Sequence, residues 1–330
     1  MKDYILSLLE NLKPQKIMVV GDMILDEFIE GEVHRISREA PIPIILQKKQ
    51  NFVPGGGANA AANIASLGGK VFAVGVVGDD INSNNLKEVL NKRSIDTSGI
   101  FVEPGRITTT KTRISASSVQ SVMQQVARLD KIPEGIISRN TINKIKKFIK
   151  DKSQEVRALL ISDYENGVVV PEIIEICVEE FLSKSKPIIV DSQSNLIQFK
   201  NVTVLTPNIP EVERTLGYPI KDKETLEKAG FYLLEKTKAE AIIITRGGEG
   251  MVLFEKKNNN ITYIPAFNKD EVYDVTGAGD TVVGTLTLGL SNGLNLKDAM
   301  ILANIAAGIV VKKFGTATTS LEEIKLVITN

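Results

Sequence analysis

The chain has 330 residues, enough to bury a large core, and its 43% hydrophobic and 24% charged content is ordinary for a globular protein. Forty basic residues balance forty acidic ones, so the whole-chain charge gives no footprint for nucleic acid or an anionic membrane. One cysteine, Cys177, excludes an internal disulfide or thiolate cluster, one histidine, His34, excludes zinc held by several histidines, and the absence of tryptophan argues against a stacking platform for single strands.

The chain opens Met-Lys-Asp-Tyr, with no apolar run of signal-peptide type, and no stretch reaches about 18 consecutive apolar residues. A cytoplasmic protein without a membrane partner is expected. Lys16 to Val20 reads as a buried strand ending in Gly21-Asp22. Asp22 and Asp26 could hold a metal or accept hydrogen bonds from sugar hydroxyls, and Asp22 could simply cap a turn. Residues 28–47, with Pro41 and Pro43, suit an edge strand or a small separate sheet. A second run of that character spans 107–130, and the two are predicted to pair as a β lid over the main domain. Arg35, Arg38, Lys111, Arg113 and Arg128 then face either an anionic substrate or solvent.

Between the lid segments, Pro54 to Gly68 is rich in glycine, alanine and asparagine. Gly55, Gly57 and Ala60 fit the G-x-G-x-x-A spacing of a dinucleotide fingerprint, with Asp79 and Asp80 after the next strand, Val71 to Val77. The fingerprint needs a strand leading straight into its glycines, and the polar stretch Lys48 to Phe52 does not suggest one. Asn59 and Asn63 are four apart and so project from one helix face, as amides suited to a polyol. No Walker A sequence occurs.

From residue 138 onward strands alternate with helices. Apolar runs at 158–161, 188–190, 202–205 and 241–244 interleave with helical stretches near 138–151, 171–183, 209–216 and 224–237. This period predicts an α/β fold, a mostly parallel sheet with helices on both faces. The strands exit into Ser162-Asp163, Asp191-Ser192, Thr206-Pro207-Asn208 and Thr245-Arg246-Gly247. Ligands bind such sheets beyond the carboxyl ends of the strands, so these residues should line one crevice with Asp22. Asn208 and Glu211 have the spacing of a helix cap or of a site for hydrated magnesium. Thr245 to Gly250 reads as a plain turn or a phosphate contact, and Asn304 is a polar group on a closely packed helix.

Asp274 to Gly284 organises the whole. Gly277, Ala278 and Gly279 form a glycine turn opening a helix, a place that binds anions, and Asp280 follows at once. A carboxylate beside an anion site is unfavourable unless it has a task, such as taking a proton from a hydroxyl that attacks a phosphoryl group. Alternatively it is a tight turn with an acidic residue favoured by the helix dipole.

These residues resemble the ribokinase-type (PfkB) sugar kinases over nearly the whole chain. Residues 55–59 resemble their N-terminal signature, Asn208 with Glu211 their magnesium-linked motif, and residues 274–280 their C-terminal signature. Within the family the resemblance is closest to heptose 7-phosphate kinases, through Val20–Asp26, Arg35–Pro43, Thr110–Arg113, Gln124–Asp130, Ser162–Tyr164 and Glu271–Thr276. It implies a ribokinase-like fold, one kinase domain over 1–330, with ATP and Mg²⁺ as cofactors and a small-molecule sugar or sugar phosphate as partner. The expected reaction is phosphorylation of the anomeric hydroxyl of D-glycero-β-D-manno-heptose 7-phosphate. Asp280 is implied as base, with the amides of Gly277, Ala278 and Gly279 as anion hole. Asp22, Asp26, Gly56, Gly57 and Asn59 are implied to bind the sugar, and Arg35, Lys111 and Arg113 its phosphate. Asn208, Glu211, Thr245, Gly247, Gly250 and Asn304 are implied to serve ATP, with Glu211 reaching the metal through water. A monovalent cation such as K⁺ near the Gly-Ala-Gly turn is implied by analogy, and a homodimer through the lid is expected. The heptose kinases tend to carry Asp-Pro-Lys where this chain has Asp191-Ser192-Gln193, and their bifunctional members carry a nucleotidyltransferase domain for which no room is expected before Asn330. Kinases of other sugars, a dinucleotide-binding oxidoreductase and a non-catalytic sugar or nucleotide sensor are the competing readings.

Overall fold

The computed structural model describes residues 2–118, 121–268 and 271–329. After α1 (Lys2–Glu10) the chain enters β1 (Lys16–Gly21), then the long strands β2 (Met23–Ile36) and β3 (Pro43–Gly56). It continues through α2 (Gly57–Ser66), β4 (Lys70–Val77), α3 (Ile81–Asn91), β5 (Asp96–Val102), β6 (Thr110–Ser118) and β7 (Ser121–Lys131). Regular alternation follows: α4 (Arg139–Lys152), β8 (Ala158–Asp163), α5 (Pro171–Leu182), β9 (Ile188–Ser192), β10 (Val204–Leu205), α6 (Ile209–Leu216), α7 (Lys223–Thr237) and β11 (Ala241–Thr245). A hairpin of β12 (Met251–Glu255) and β13 (Asn260–Ile264) precedes α8 (Ala278–Ser291), α9 (Leu296–Val310) and α10 (Leu321–Thr329).

The main sheet runs β13-β12-β11-β10-β9-β8-β1-β4-β5. It is parallel from β5 to β11, and the hairpin adds two antiparallel strands at one edge. Successive side chains of a strand point to opposite faces, and β1 shows what this does. Ile17 and Val19 enter the core shared with α2, α8 and α9, while Met18 and Val20 enter the core shared with α4, α5 and α7. Both faces are thus covered, as the continuous apolar strands require. The fold is ribokinase-like. Among the described residues no helix is long and apolar enough to cross a membrane.

The second sheet, ordered β3-β2-β6-β7, is the expected lid. Its strands pair β2 with β3 and β6 with β7 antiparallel, and β2 with β6 in parallel. Residues 119 and 120 of the expected stretch 107–130 lie outside the described residues.

Two expectations change. A strand does lead straight into the glycines, because β3 continues through Gly56 into α2. It looked unlike a strand because the lid exposes Lys48 to Gln50 to solvent, so no buried face imposes alternation. β3 belongs to the lid sheet, however, and not to the parallel sheet that a dinucleotide fold needs. Asp80 is likewise committed elsewhere: its carboxylate accepts from the Ser83 amide at 3.0 Å and the Thr108 amide at 2.8 Å, capping α3.

Candidate active site

Asp280 lies in the first turn of α8, just after Gly277, which holds the left-handed conformation at φ 78° that glycine adopts freely. The carboxylate is buried and held on both oxygens: Asn59 Nδ2 donates to Oδ2 at 2.7 Å and the Tyr164 hydroxyl donates to Oδ1 at 2.8 Å. Burial raises its pKa to about 6, while the two hydrogen bonds favour the charged form. A base with that value is largely ionised at neutral pH and close enough to it to accept a proton. Burial and the charge of Asp280 hold the Tyr164 phenol far above its ordinary range, so it acts as a donor.

Within the turn the predicted anion hole is only partly free. The Ala278 amide already donates to the Val275 carbonyl at 3.2 Å. This leaves the first-turn amides of Gly279 and Asp280, which lack intrahelical acceptors by the geometry of any helix start. Asp274 braces the turn from behind, accepting from the Thr276 and Gly315 amides at 2.9 Å each. Burial works against its charge, but these bonds outweigh burial and hold its pKa below the usual value.

The residues expected on the sugar side gather where β1 and β8 end and β2 begins. The Gly56 backbone turns into α2 at φ 52°, and the Gly57 amide donates to the Asp22 carbonyl at 3.0 Å, tying the glycine stretch to the β1 exit. Asp22 is buried; Oδ2 accepts from the Tyr164 amide at 2.7 Å and the Asn166 amide at 3.2 Å, and Oδ1 has no partner among the described residues. Burial raises its pKa to about 6, with nearby Asp163 adding to the shift. Asp26 is also buried. Arg113 Nη1 stands 3.0 Å from its Oδ1, yet off the line of a directed hydrogen bond. Burial pushes Asp26 up against the pull of Arg113, Lys111 and Arg128. A Cβ on Gly55 would lie 2.8 Å from the Asp26 carboxyl carbon, so the backbone there closes directly on the carboxylate. Burial lowers the pKa of Lys111, whose Nζ sits 5.0 Å from the centre of the Tyr164 ring.

On the other side of Asp280 are two cavities. One of about 160 Å³ is lined by Tyr164, Asp191, Gln193, Asn208, Glu211, Thr245, Gly277, Gly279 and Asp280. A second, of about 220 Å³ and largely apolar, is lined by Thr245, Gly247, Gly250, Phe267, Gly279 and Asn304 among others. Thr245, Gly279 and Val282 line both. An apolar recess therefore opens past the glycine turn to the buried acid, the layout a nucleotide base and its phosphates require.

Asn208 and Glu211 form a full capping box on α6: the Asn208 side chain accepts from the Glu211 amide at 2.9 Å, and the Asn208 amide donates to Glu211 Oε2 at 2.8 Å. Asn208 Nδ2 also donates to Glu211 Oε1 at 2.8 Å. The cap is thus real, and it also fixes the Glu211 carboxylate on the cavity wall. Burial raises both Glu211 and Asp191, Asp191 strongly, with Glu211 and Asp280 adding to it. Asn304 spends its amide on backbone, donating to Pro265 O at 2.8 Å and accepting from the Phe267 amide at 3.4 Å, so it shapes the apolar recess.

Three outcomes depart from the sequence reading. Arg35 is exposed near the far end of β2, nine residues beyond Asp26 and on the order of 30 Å away along the strand. It does not join the crevice. Asn63 does not face a polyol but is fully buried between α2 and α8. Tyr164 is a site residue that had not been singled out, because its contact with Asp280 joins positions 116 apart.

Known proteins similar to this chain show its family and fold. The model of the pfkB family carbohydrate kinases matches residues 14–324. A bifunctional protein HldE of Geobacter metallireducens is 37% identical over 319 residues, covering 96% of this chain and 64% of that protein. The HldE of Helicobacter pylori strain G27 is 38% identical over 315 residues, 95% of this chain and 66% of the relative, so the chain spans slightly less than two thirds of each. Among solved structures, phosphofructokinase-2 from Escherichia coli in complex with potassium superposes at TM-score 0.74 with 17% identity, covering 96% of this chain and 99% of the other. Arabidopsis thaliana ribokinase complexed with ribose and ATP gives 0.73 and 17%, over 96% and 100%. With the glycine turn, the buried acid and the capped Asn-Glu pair in place, the chain belongs to the pfkB family of carbohydrate kinases.

Proposed function

We propose that this carbohydrate kinase transfers the γ-phosphoryl group of ATP to the anomeric hydroxyl of D-glycero-β-D-manno-heptose 7-phosphate. The observation that carries the reading is the position of Asp280, buried between the nucleotide-shaped recess and the carboxylates of Asp22 and Asp26. Asp280 takes the proton of the attacking hydroxyl, while the Gly279 and Asp280 amides face the charge on the transferring group. Asp22 and Asn59 orient sugar hydroxyls, and Lys111 and Arg113 draw the substrate's phosphate to the lid. The heptose assignment is supported by the stretches shared with heptose 7-phosphate kinases and by the identity to HldE proteins.

Glu211 is the residue that would hold, through water, a magnesium ion brought by the nucleotide, and the ion would supply charge neutralisation at the phosphates. Among the described residues no group of three or more histidine, cysteine, aspartate or glutamate side chains is placed to hold a metal directly. This fits Glu211 acting on metal-bound water, since magnesium keeps several of its waters. The Thr316 hydroxyl is buried without a partner among the described residues, and the Cα and methyl group of Thr316 lie beside Gly277, so a potassium ion near the turn would have an unpartnered oxygen in its neighbourhood.

The test is ADP release with Mg·ATP across heptose 7-phosphate, fructose 6-phosphate, fructose and ribose, in potassium and in tetramethylammonium. Preference for the heptose phosphate is expected, with Asp280→Asn lowering kcat by about 10² to 10⁴ while nucleotide binding persists. Preference for a free sugar would mean that Gln193, in place of the lysine, has moved the substrate class. Unchanged turnover in the variant would remove Asp280 as base.

A further inference from the structure

Asn59 meets Asp280 through one end of an amide whose two ends have opposite character, and something must decide which end. An ionised carboxylate can only accept, so Asn59 must present Nδ2 to it, as it does at 2.7 Å. Its Oδ1 then faces back into α2 and needs a donor. Asn63, one turn later, supplies it: Asn63 Nδ2 donates to the Asn59 carbonyl at 3.0 Å and lies 3.4 Å from Asn59 Oδ1. The amide of Asn63 is thereby fixed too, because the carbonyl of Asn59 can only accept. Asn63 Oδ1 is left pointing at α8, where the Thr281 hydroxyl donates to it at 2.8 Å and lies 3.1 Å from the Gly277 carbonyl. Asn59, Asn63, Thr281 and Asp280 are all buried, and Thr281 is the residue next to the acid in sequence.

We propose that Thr281 and Asn63 are positioning residues, a relay of directed hydrogen bonds that holds the Asn59 amide in the orientation favouring the ionised form of Asp280. The inference rests on the reading of Asp280 as catalytic base. The relay starts at the glycine turn, crosses to α2 and returns to the carboxylate, so the helix pair that carries the base also carries its tuning. Other groups act on Asp280 from the elements around it: the Tyr164 hydroxyl beyond β8, Asp26 on β2, Lys111 on β6, and Asp191 and Glu211 across the small cavity. The substitution leaves all of these in place, so a change can be assigned to the relay.

Thr281→Val keeps the shape and removes the hydroxyl. Asn63 Oδ1 is then left buried without its donor, the Asn63 side chain shifts to find another, its contact with Asn59 Oδ1 loosens, and the bond from Asn59 to the ionised form of Asp280 weakens. The acid limb of the kcat profile should then move up by about one pH unit from its position near 6. Turnover at pH 6 should fall about fivefold but remain within about twofold of normal at pH 8. Thr281→Ser restores the donor and should restore the profile. An equal loss at every pH, or an unmoved limb in Thr281→Val, overturns the proposal. The Asp280 carboxyl carbon, assigned in NMR by its absence in Asp280→Asn, reports the same titration without substrate. A shifted carboxyl titration in an enzyme that releases no ADP would keep the relay and sink the kinase reading; an unshifted one in an active kinase would do the reverse.

Discussion

Asp22 shows what the site costs the fold. Its carboxylate accepts two backbone N–H groups on one oxygen and has an unpartnered buried oxygen on the other. Burial lifts its pKa from 3.8 to about 6. The folded value lies above the unfolded one, so protonation favours the fold. The stability contributed by this group is fully present below about pH 4 and is lost as pH rises through 6. A shift of about two units corresponds to at most about 3 kcal/mol at neutral pH. Asp22→Asn keeps an oxygen for the two amides and removes the buried charge. Urea unfolding should find it more stable than the parent by about 1–3 kcal/mol at pH 7.5 and nearly equal at pH 4, with weaker sugar binding. Equal stability at both values would show that the charge is compensated by the fold. At this scale the sequence was informative where chemistry is local. Acids at strand exits and amides after a glycine run can be read directly, since topology sends every such exit to one edge. Tyr164 could not, because its role depends on α8 returning over β8. Arg35 failed for a related reason: its charge is visible in the sequence, but its distance along the strand from the site is not.

Elements place these groups through close packing. Helices α2 and α8 approach at Gly284, where an added Cβ would lie 3.1 Å from Asn63 Cβ and 3.2 Å from the Ala60 carbonyl. An alanine there needs a few tenths of an ångström, whereas a branched side chain must separate the helices. Gly284→Val should destabilise the protein by about 1–3 kcal/mol. It should also reduce kcat more than it raises the KM for ATP, because Asn59 and Asp280 sit on opposite partners of this crossing. Thermal unfolding together with steady-state kinetics checks both. A destabilised variant with unchanged kcat would mean that the site follows α8 alone. The central strands were legible because burial on both faces leaves them continuously apolar. β5 was not: it opens on Asp96, Thr97 and Ser98 at the sheet edge and is buried mainly at Gly99 and Ile100. The β12–β13 hairpin was missed because Lys256 to Asn259 joins its strands without the short Asn-Gly or Asp-Gly signal.

Across the whole molecule the crevice has the main sheet for a floor and the lid sheet for a roof, and the roof has two open strand edges among the described residues. β3 and β7 are the outer strands of the lid, and a strand edge presents unpaired backbone groups. Leu46 on β3, and Met123, Val126 and Leu129 on β7, are exposed at 46–56%, while Ile36 and Ile42 stand at the tip. Large apolar side chains grouped on one small sheet mark an interaction surface more often than a free one. A second copy of this chain, bringing the same sheet, would cover them and stiffen the lid above Lys111 and Arg113. Light scattering should therefore give a dimer, and Leu46→Glu combined with Leu129→Glu should give a folded monomer with a KM for the sugar raised roughly tenfold and little change in the KM for ATP, since tenfold corresponds to about 1.4 kcal/mol of lost binding. The asymmetry between the two substrates is the informative part. On the proposed reading the lid carries sugar-side residues only, while the apolar recess assigned to the nucleotide is lined from β11, α8 and α9 on the main domain. Loss of affinity for both would point to general damage, and a monomeric parent enzyme with full activity would show that the lid edges are tolerated as they stand.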